Sequence, residues 1–187
     1  MARWEPDSRG RLETAAMQLF AEHGFDATTV AEIAARAGLT ERTFFRYFTD
    51  KREVLFWGAA GLQDLLVTQV ADAPPGTRPL TAVVDALVAA GGMFEQRRDF
   101  ARERQRVIAG SAELRERELI KLAALAAALA QALRDRGIPD TAAELAAEAG
   151  VAVFRVSFGR WTEDPTRELP DVIRDCVTEL KGVAAAS

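Results

Sequence analysis

The stretch TTVAEIAARAGLTERTFFRYFTDK, residues 28–51, holds two short helices on either side of Gly38. In the first, Val30, Ile33 and Ala34 recur at three and four and make an inward face. Ala34 is small enough to let the second helix cross closely, at the steep angle of a helix-turn-helix. Gly38 supplies the left-handed backbone that the tight turn needs, where a side chain would be strained. Phe44 and Phe48, four apart, give the second helix its buried side, which leaves Glu41, Arg42, Thr43, Phe45, Arg46 and Tyr47 on the outside.

That outer set has the chemistry of a major-groove reader. Arginine bonds a guanine edge bidentately, while Thr and Tyr hydroxyls and helix N-terminal amides hold phosphate oxygens. Lys51, near the start of the following helix, adds a cation within reach of phosphate. Residues 36–52 carry five cations against two acids, and residues 1–52 balance at eight of each. Residues 53–187 carry sixteen cations and twenty acids, so the net charge of -4 confines nucleic-acid contact to one end of the chain. The competing reading, two helices that merely pack, accounts for Phe44 and Phe48 but not for Arg46 and Tyr47 on the opposite side.

Outward from this stretch the chain reads as all-α. Alanine makes up about a fifth of the 187 residues, and Leu, Glu and Arg supply much of the rest. Apolar residues recur at three and four in Leu12, Ala16, Leu19 and Phe20, in Leu122, Leu125, Leu129 and Leu133, and in Leu169, Val172, Ile173, Cys176, Val177 and Leu180. No sustained period-two alternation announces strands. Gly24 ends a helix begun near Ser8, Thr29 and Thr40 can cap the next two, and a fourth runs from about Asp50 to the loop at Asp72-Ala73-Pro74-Pro75-Gly76. Further helices are expected over 80–95 and 100–108, from a cap at Ser111 to Gly137, and over 141–158 and 165–183, about nine in all. The Ala-rich run over 123–132 reads as a helix whose small residues admit close neighbours.

Composition excludes several classes of site. One cysteine, Cys176, and one histidine, His23, cannot supply the ligand sets of zinc and iron centres, and no metal or cofactor is expected, although an all-carboxylate magnesium or calcium site stays open. His23 would have to be the base of any nucleophilic triad, yet it sits at a helix end. No phosphate-loop or dinucleotide fingerprint is present. The longest uninterrupted apolar stretch, residues 122–130, is too short to span a bilayer, and the N-terminus Met1-Ala2-Arg3-Trp4-Glu5-Pro6-Asp7 lacks the features of a secretory signal. A cytoplasmic protein without a membrane segment or catalytic residues is therefore expected.

The first fifty or so residues resemble the TetR (tetracycline-repressor-like) family of bacterial transcription regulators. The resemblance lies in Leu19-Phe20, Gly24-Phe25, residues 28–34, Ala37-Gly38-Leu39-Thr40 and residues 43–48 followed by Lys51. It implies an N-terminal three-helix helix-turn-helix domain over residues 1–52 and a helical effector-binding and dimerisation domain over 53–187. It also implies that Thr29 and Thr40 anchor phosphate, that Arg42 and Thr43 face bases, and that Tyr47 and Lys51 bind backbone. Arg46 has two readings, a DNA contact and an ion pair with an acid. Phe45 departs from the family's frequent Tyr and cannot bond a phosphate, so it is left out of the contact set.

Beyond Lys51 the resemblance is architectural. It implies a homodimer through the last two helices, with Ala149, Ala152, Val153, Val156, Val172, Ile173, Cys176 and Leu180 as the apolar stripe, and a repressor released from a palindromic double-stranded operator by a small, largely apolar effector. Trp57, Phe94, Phe100 and Phe154 are the candidate ligand-binding residues, and glycines at 58, 61, 91 and 92 signal either room for a ligand or close helix contact. The arginines at 97, 98, 102, 104 and 106, interleaved with Asp99 and Glu103, read as a solvated face with local pairs, or as a seat for an anionic head group. From another class comes a small helical enzyme or binding protein that uses carboxylates and does not bind DNA.

Overall fold

A computed structural model describes residues 7–185 of the protein, so the N-terminal stretch read above for a secretory signal, all but Asp7, lies outside the described residues. Ten helices follow in order, with no strand among the described residues: α1 (Ser8–His23), α2 (Val30–Arg36), α3 (Glu41–Tyr47), α4 (Glu53–Phe56), α5 (Ala59–Ala71), α6 (Pro79–Glu95), α7 (Arg98–Gly110), α8 (Ala112–Asp135), α9 (Asp140–Glu163) and α10 (Leu169–Ala185). The all-α reading holds, and local chemistry explains where the bounds differ. The fourth expected helix is two, separated by Trp57 and Gly58. The last begins at Leu169 rather than at 165, because Asp164 Oδ1 accepts from the Thr166 amide (2.9 Å) and hydroxyl (2.6 Å) and holds the chain in a side-chain turn. Ser111 does cap α8, accepting from the Leu114 amide at 3.4 Å.

Glu53–Ala71 is 19 residues long with mean hydropathy 1.3, enough by length and composition to cross a membrane. Its side chains have another use, since Val54, Leu55, Phe56, Leu66 and Val70 are buried inside the protein.

The chain forms two compact units. One takes in Met1–Gly58 and Glu103–Glu118, the other Ala59–Arg102 and Leu119–Ser187. In the first unit Leu12, Ala16, Ile33, Phe44, Ile108 and Leu114 are almost fully enclosed. Charged side chains explain why 103–118 joins it. Arg117 pairs with Glu53 and Arg52 with Glu113, while Arg104 donates to the Leu55 carbonyl at 2.6 Å, pairs with Glu118 at 3.0 Å and lies 5.0 Å from the centre of the Phe56 ring. Short α4 is thus fastened by three arginines that a periodicity reading cannot pair.

The second unit is built on α6, which packs against α9 and α10. Val83 and Leu87 of α6, Leu129 and Leu133 of α8, Ala143, Ala147 and Trp161 of α9, and Leu169 and Ile173 of α10 form its centre. The helices approach tightly: a Cβ at Gly150 would lie 2.3 Å from Val83 Cγ1, and one at Gly91 would lie 3.0 Å from the Pro170 ring. Gly91 is therefore a helix contact. Arg136 closes the end of α5 by donating to the carbonyls of Val70 (3.0 Å), Ala71 (2.9 Å), Ala73 and Pro74 (3.0 Å), where helix carbonyls lack partners.

The stripe assigned to a dimer face splits. Val153, Val172, Ile173 and Cys176 are buried in the protomer's own core and Leu180 packs against it, because the period that would serve a partner also serves α6. On α9 the apolar residues that stay outside are Ala142, Leu145, Ala152 and Val156, with Ala149 half-buried beside them at helical spacing.

Candidate nucleic-acid interface

The helix-turn-helix is assembled from reciprocal caps. Thr29 opens α2: its Oγ1 accepts from the Glu32 amide (3.2 Å), while Glu32 Oε2 accepts from the Thr29 amide (2.8 Å) and hydroxyl (2.7 Å). The Thr29 hydroxyl and then its amide hold the Glu32 carboxyl below the usual carboxylate range. Arg36, at the other end of α2, makes a two-point bridge to Glu22 of α1 at 3.0 and 2.8 Å. Gly38 has φ +66 in the turn, where its amide donates to Ala35 O at 3.0 Å and a Cβ would meet the Arg11 guanidinium at 2.9 Å. The Leu39 amide then donates to Ala34 O at 2.8 Å. Thr40 caps α3, accepting from the Thr43 amide at 3.2 Å with the two hydroxyls 3.0 Å apart.

Phe44 and Phe48 anchor α3 with ring centres 5.3 Å apart, both buried. This leaves Arg42 exposed, with no hydrogen bond or ion pair among the described residues, and Thr43 half-buried next to it. Phe45 is 54% exposed. Arg46 takes no acid as a partner among the described residues; it donates to the Tyr47 hydroxyl at 2.9 Å, its carbon 4.8 Å from the Tyr47 ring centre. Thr40, Arg42, Thr43, Arg46 and Tyr47 therefore lie on or at the head of one short helix, and Thr29 heads its neighbour.

Lys51 is placed otherwise than a free cation would be. Its ammonium donates to the carbonyls of Phe25 (2.7 Å), Asp26 (3.1 Å) and Thr28 (2.9 Å), 4.4 Å from the Phe25 ring centre.

The candidate ligand residues are not brought together as a set. Phe94 and Phe154 are, with ring centres 6.2 Å apart, and Phe158 and Trp161 complete their cluster. Phe154, Phe158 and Trp161 stand at helical spacing on α9, a signal present in the sequence. Phe100 joins no ring pair among the described residues and lies under the Arg97 guanidinium at 4.3 Å. Trp57, 44% exposed, belongs to the other unit, where the Arg9 guanidinium stacks on it at 3.6 Å.

Beside the cluster, Glu95 Oε1 accepts from the Trp161 indole (3.0 Å) and the Leu169 amide (2.8 Å), and Oε2 from Arg98 (2.7 Å). Burial raises the Glu95 pKa, but the Leu169 amide, Arg98 and Trp161 outweigh it and leave the carboxyl below its usual range. The arginine run is only partly the solvated face expected. Arg106 makes a local pair with Glu103 at 3.2 Å, but Arg98 donates to the Asp164 (2.8 Å) and Arg167 carbonyls and Arg102 to the Thr162 carbonyl at 2.7 Å. Thr162 and Asp164 stand at the end of α9, whose last carbonyls need donors, and Arg167 lies in the turn that leads to α10.

Residues 13–56 match the family model described as bacterial regulatory proteins, tetR family, and residues 77–185 match the MftR C-terminal domain. The chain belongs to the TetR family. Among curated relatives it is 33% identical over 85 residues to the HTH-type transcriptional regulator TcmR of Streptomyces glaucescens, covering 46% of this chain and 38% of that one. It is 42% identical over 60 residues to the mycofactocin biosynthesis transcriptional regulator MftR of Mycobacterium tuberculosis, covering 29% and 30%. The match thus spans about a third of the curated relatives' length. Of solved structures, the TetR-family repressor FadR of Thermus thermophilus, in complex with lauroyl-CoA, aligns over 91% of both chains with TM-score 0.55 and 25% identity.

Proposed function

We propose that this TetR-family protein is a cytoplasmic, homodimeric transcriptional repressor and has no catalytic role. In this reading Arg42 and Thr43 read base edges of a palindromic operator, Arg46 and Tyr47 reach the DNA backbone, and Thr29 and Thr40 offer hydroxyls and capped helix N-termini to phosphate. The observation that carries it is Arg42. An exposed guanidinium on a helix anchored by Phe44 and Phe48 has no partner among the described residues, in a protein that pairs most of its arginines. Two such headpieces related by a twofold axis, through the last two helices and the exposed Leu145, Ala152 and Val156 of α9, would meet half-sites of a palindrome.

The effector in this proposal is small and largely apolar. Half-buried Phe94 and Phe154 at the edge of the aromatic cluster support that chemistry, as does the likeness to a FadR in complex with lauroyl-CoA. Phe100 and Trp57 are weaker candidates, being stacked under arginines. Release is a population shift between two arrangements of the dimer, its size set by the effector's differential affinity for them.

The test is binding of the purified protein to duplex DNA from upstream of its own gene, over a salt series with competitor DNA. Saturable, sequence-selective binding with a steep negative salt slope is expected. Absence of selective binding to any duplex drawn from a random-sequence pool would overturn the reading in favour of a helical binding protein.

A further inference from the structure

Resting on the effector reading above, we propose that the effector is an uncharged aromatic molecule with one hydrogen-bonding oxygen, and that Ser157 of α9 is the residue that binds that oxygen. Ser157 is fully buried, and among the described residues its Oγ is the only buried side-chain nitrogen or oxygen of the second unit without a hydrogen-bond partner. A hydroxyl inside a helix ordinarily bonds a carbonyl one turn back. Thr68 donates in this way to Asp64 (2.8 Å), Thr162 to Gly159 (2.8 Å) and Thr178 to Arg174 (3.1 Å). Ser157 does not, so its hydroxyl is turned away from its own backbone and into the packing. Smallness does not explain it. On the same face of α9, Ala143, Ala147 and Gly150 meet the need for space with no polar group to desolvate.

The hydroxyl stands at one corner of a seat for an aromatic ring. Phe154, Ser157, Phe158 and Trp161 follow one another at i, i+3, i+4 and i+7, the four-residue hole that receives a side chain from a facing helix. Phe94 of α6 fills it, its ring centre 6.2 Å from that of Phe154, 5.3 Å from Phe158 and 6.4 Å from Trp161. A phenyl ring matches the three aromatic corners and has nothing to offer the fourth. An aromatic ring bearing an oxygen, in its place, would keep the ring contacts and also pair Ser157. Phe94 is built to give way, being half-buried on the last turn of α6, where Gly91 and Gly92 weaken the helix just before it. The seat has no cation to spare for an acid. Arg98, 4.6 Å from the Trp161 ring centre, is committed to Glu95 and to the Asp164 and Arg167 carbonyls, and the Glu95 carboxylate next to Phe94 repels an anion. The occupant is therefore neutral.

The experiment titrates the full-length protein with 2-naphthol, naphthalene and 2-naphthoate by calorimetry at neutral pH, where 2-naphthol is uncharged and 2-naphthoate is an anion. 2-Naphthol is expected to bind about tenfold more tightly than naphthalene, the scale of one hydrogen bond, and more tightly than 2-naphthoate. In Ser157→Ala the affinities for 2-naphthol and naphthalene should become alike. With no probe present, that variant should melt no lower than wild type, since it removes a buried hydroxyl that has no partner. Phe94→Ala empties the seat and should strengthen binding of both probes while their ratio is kept.

Equal binding of 2-naphthol and naphthalene to the wild-type protein would overturn Ser157 as the anchor and leave an apolar effector standing. So would a Ser157→Ala protein that melts well below wild type and loses both probes alike, the sign of a packing role. If Ser157→Ala does not fold, the pair of probes on the wild-type protein decides alone. Tighter binding of 2-naphthoate than of 2-naphthol would overturn the uncharged class. If no probe binds wild type or Phe94→Ala, the inference and the effector seat at these rings fail together. None of these titrations needs DNA, so a protein that selects no operator fails the repressor reading alone.

Discussion

Glu95 holds Trp161 by its indole N–H at 3.0 Å, and the same carboxylate oxygen takes the amide of Leu169, the first residue of α10. One acid on α6 thereby joins the end of α9 to the start of α10. Glu95→Ala strands the fully buried Trp161 donor and the Arg98 charge, and we expect a loss of about 3 kcal/mol in denaturant unfolding. Glu95→Gln keeps an acceptor and should lose less. The carboxyl lies below its usual range when folded, so its contribution is complete above the ordinary carboxylate pKa and disappears as pH falls through the lower folded value. Thermal unfolding between neutral and acid pH should therefore be flatter for Glu95→Gln than for wild type; parallel curves would contradict this.

Arg42→Ala should leave thermal stability within error, since the side chain is exposed and holds nothing among the described residues. Operator affinity should fall by about 1–3 kcal/mol, the range of a lost bidentate base contact, with sequence preference relaxed at one position of each half-site. Anisotropy titrations on operator variants check both parts.

Thr29→Ala removes the acceptor of the Glu32 amide and half of the capping box. About 1 kcal/mol of stability should be lost. Operator binding should weaken at temperatures where the variant remains folded. Thr29→Ser, which keeps the hydroxyl, should restore both, and failure of that rescue would assign the effect to the methyl group.

Gly150→Ala should destabilise by about 1–3 kcal/mol through overpacking, because the new Cβ would sit 2.3 Å from Val83 Cγ1. Val83→Ala in the same protein should recover part of the loss, giving a favourable coupling in a double-mutant cycle followed by thermal unfolding. Strict additivity would show that α6 and α9 can move apart freely there.

The sequence by itself determined what depends on neighbours three and four residues away. The caps expected at Thr29, Thr40 and Ser111, the spacing of Phe44 and Phe48, and the turn at Gly38 are short-range relations, and they sufficed to place the helix-turn-helix and the starts of α2, α3 and α8. Only the tertiary structure decided which long side chains meet partners far along the chain. Lys51 closes on carbonyls more than twenty residues away, Arg98 and Arg102 on the end of α9, Arg104 on Leu55, and Arg117 on Glu53. The same holds for Val153, Val172, Ile173 and Cys176, whose periodicity suits a partner subunit and the protomer's own core equally. The physical reason is range. Helical period and capping are settled within one turn of backbone, whereas the partner of a flexible cation or of an apolar stripe depends on which helices are brought alongside it.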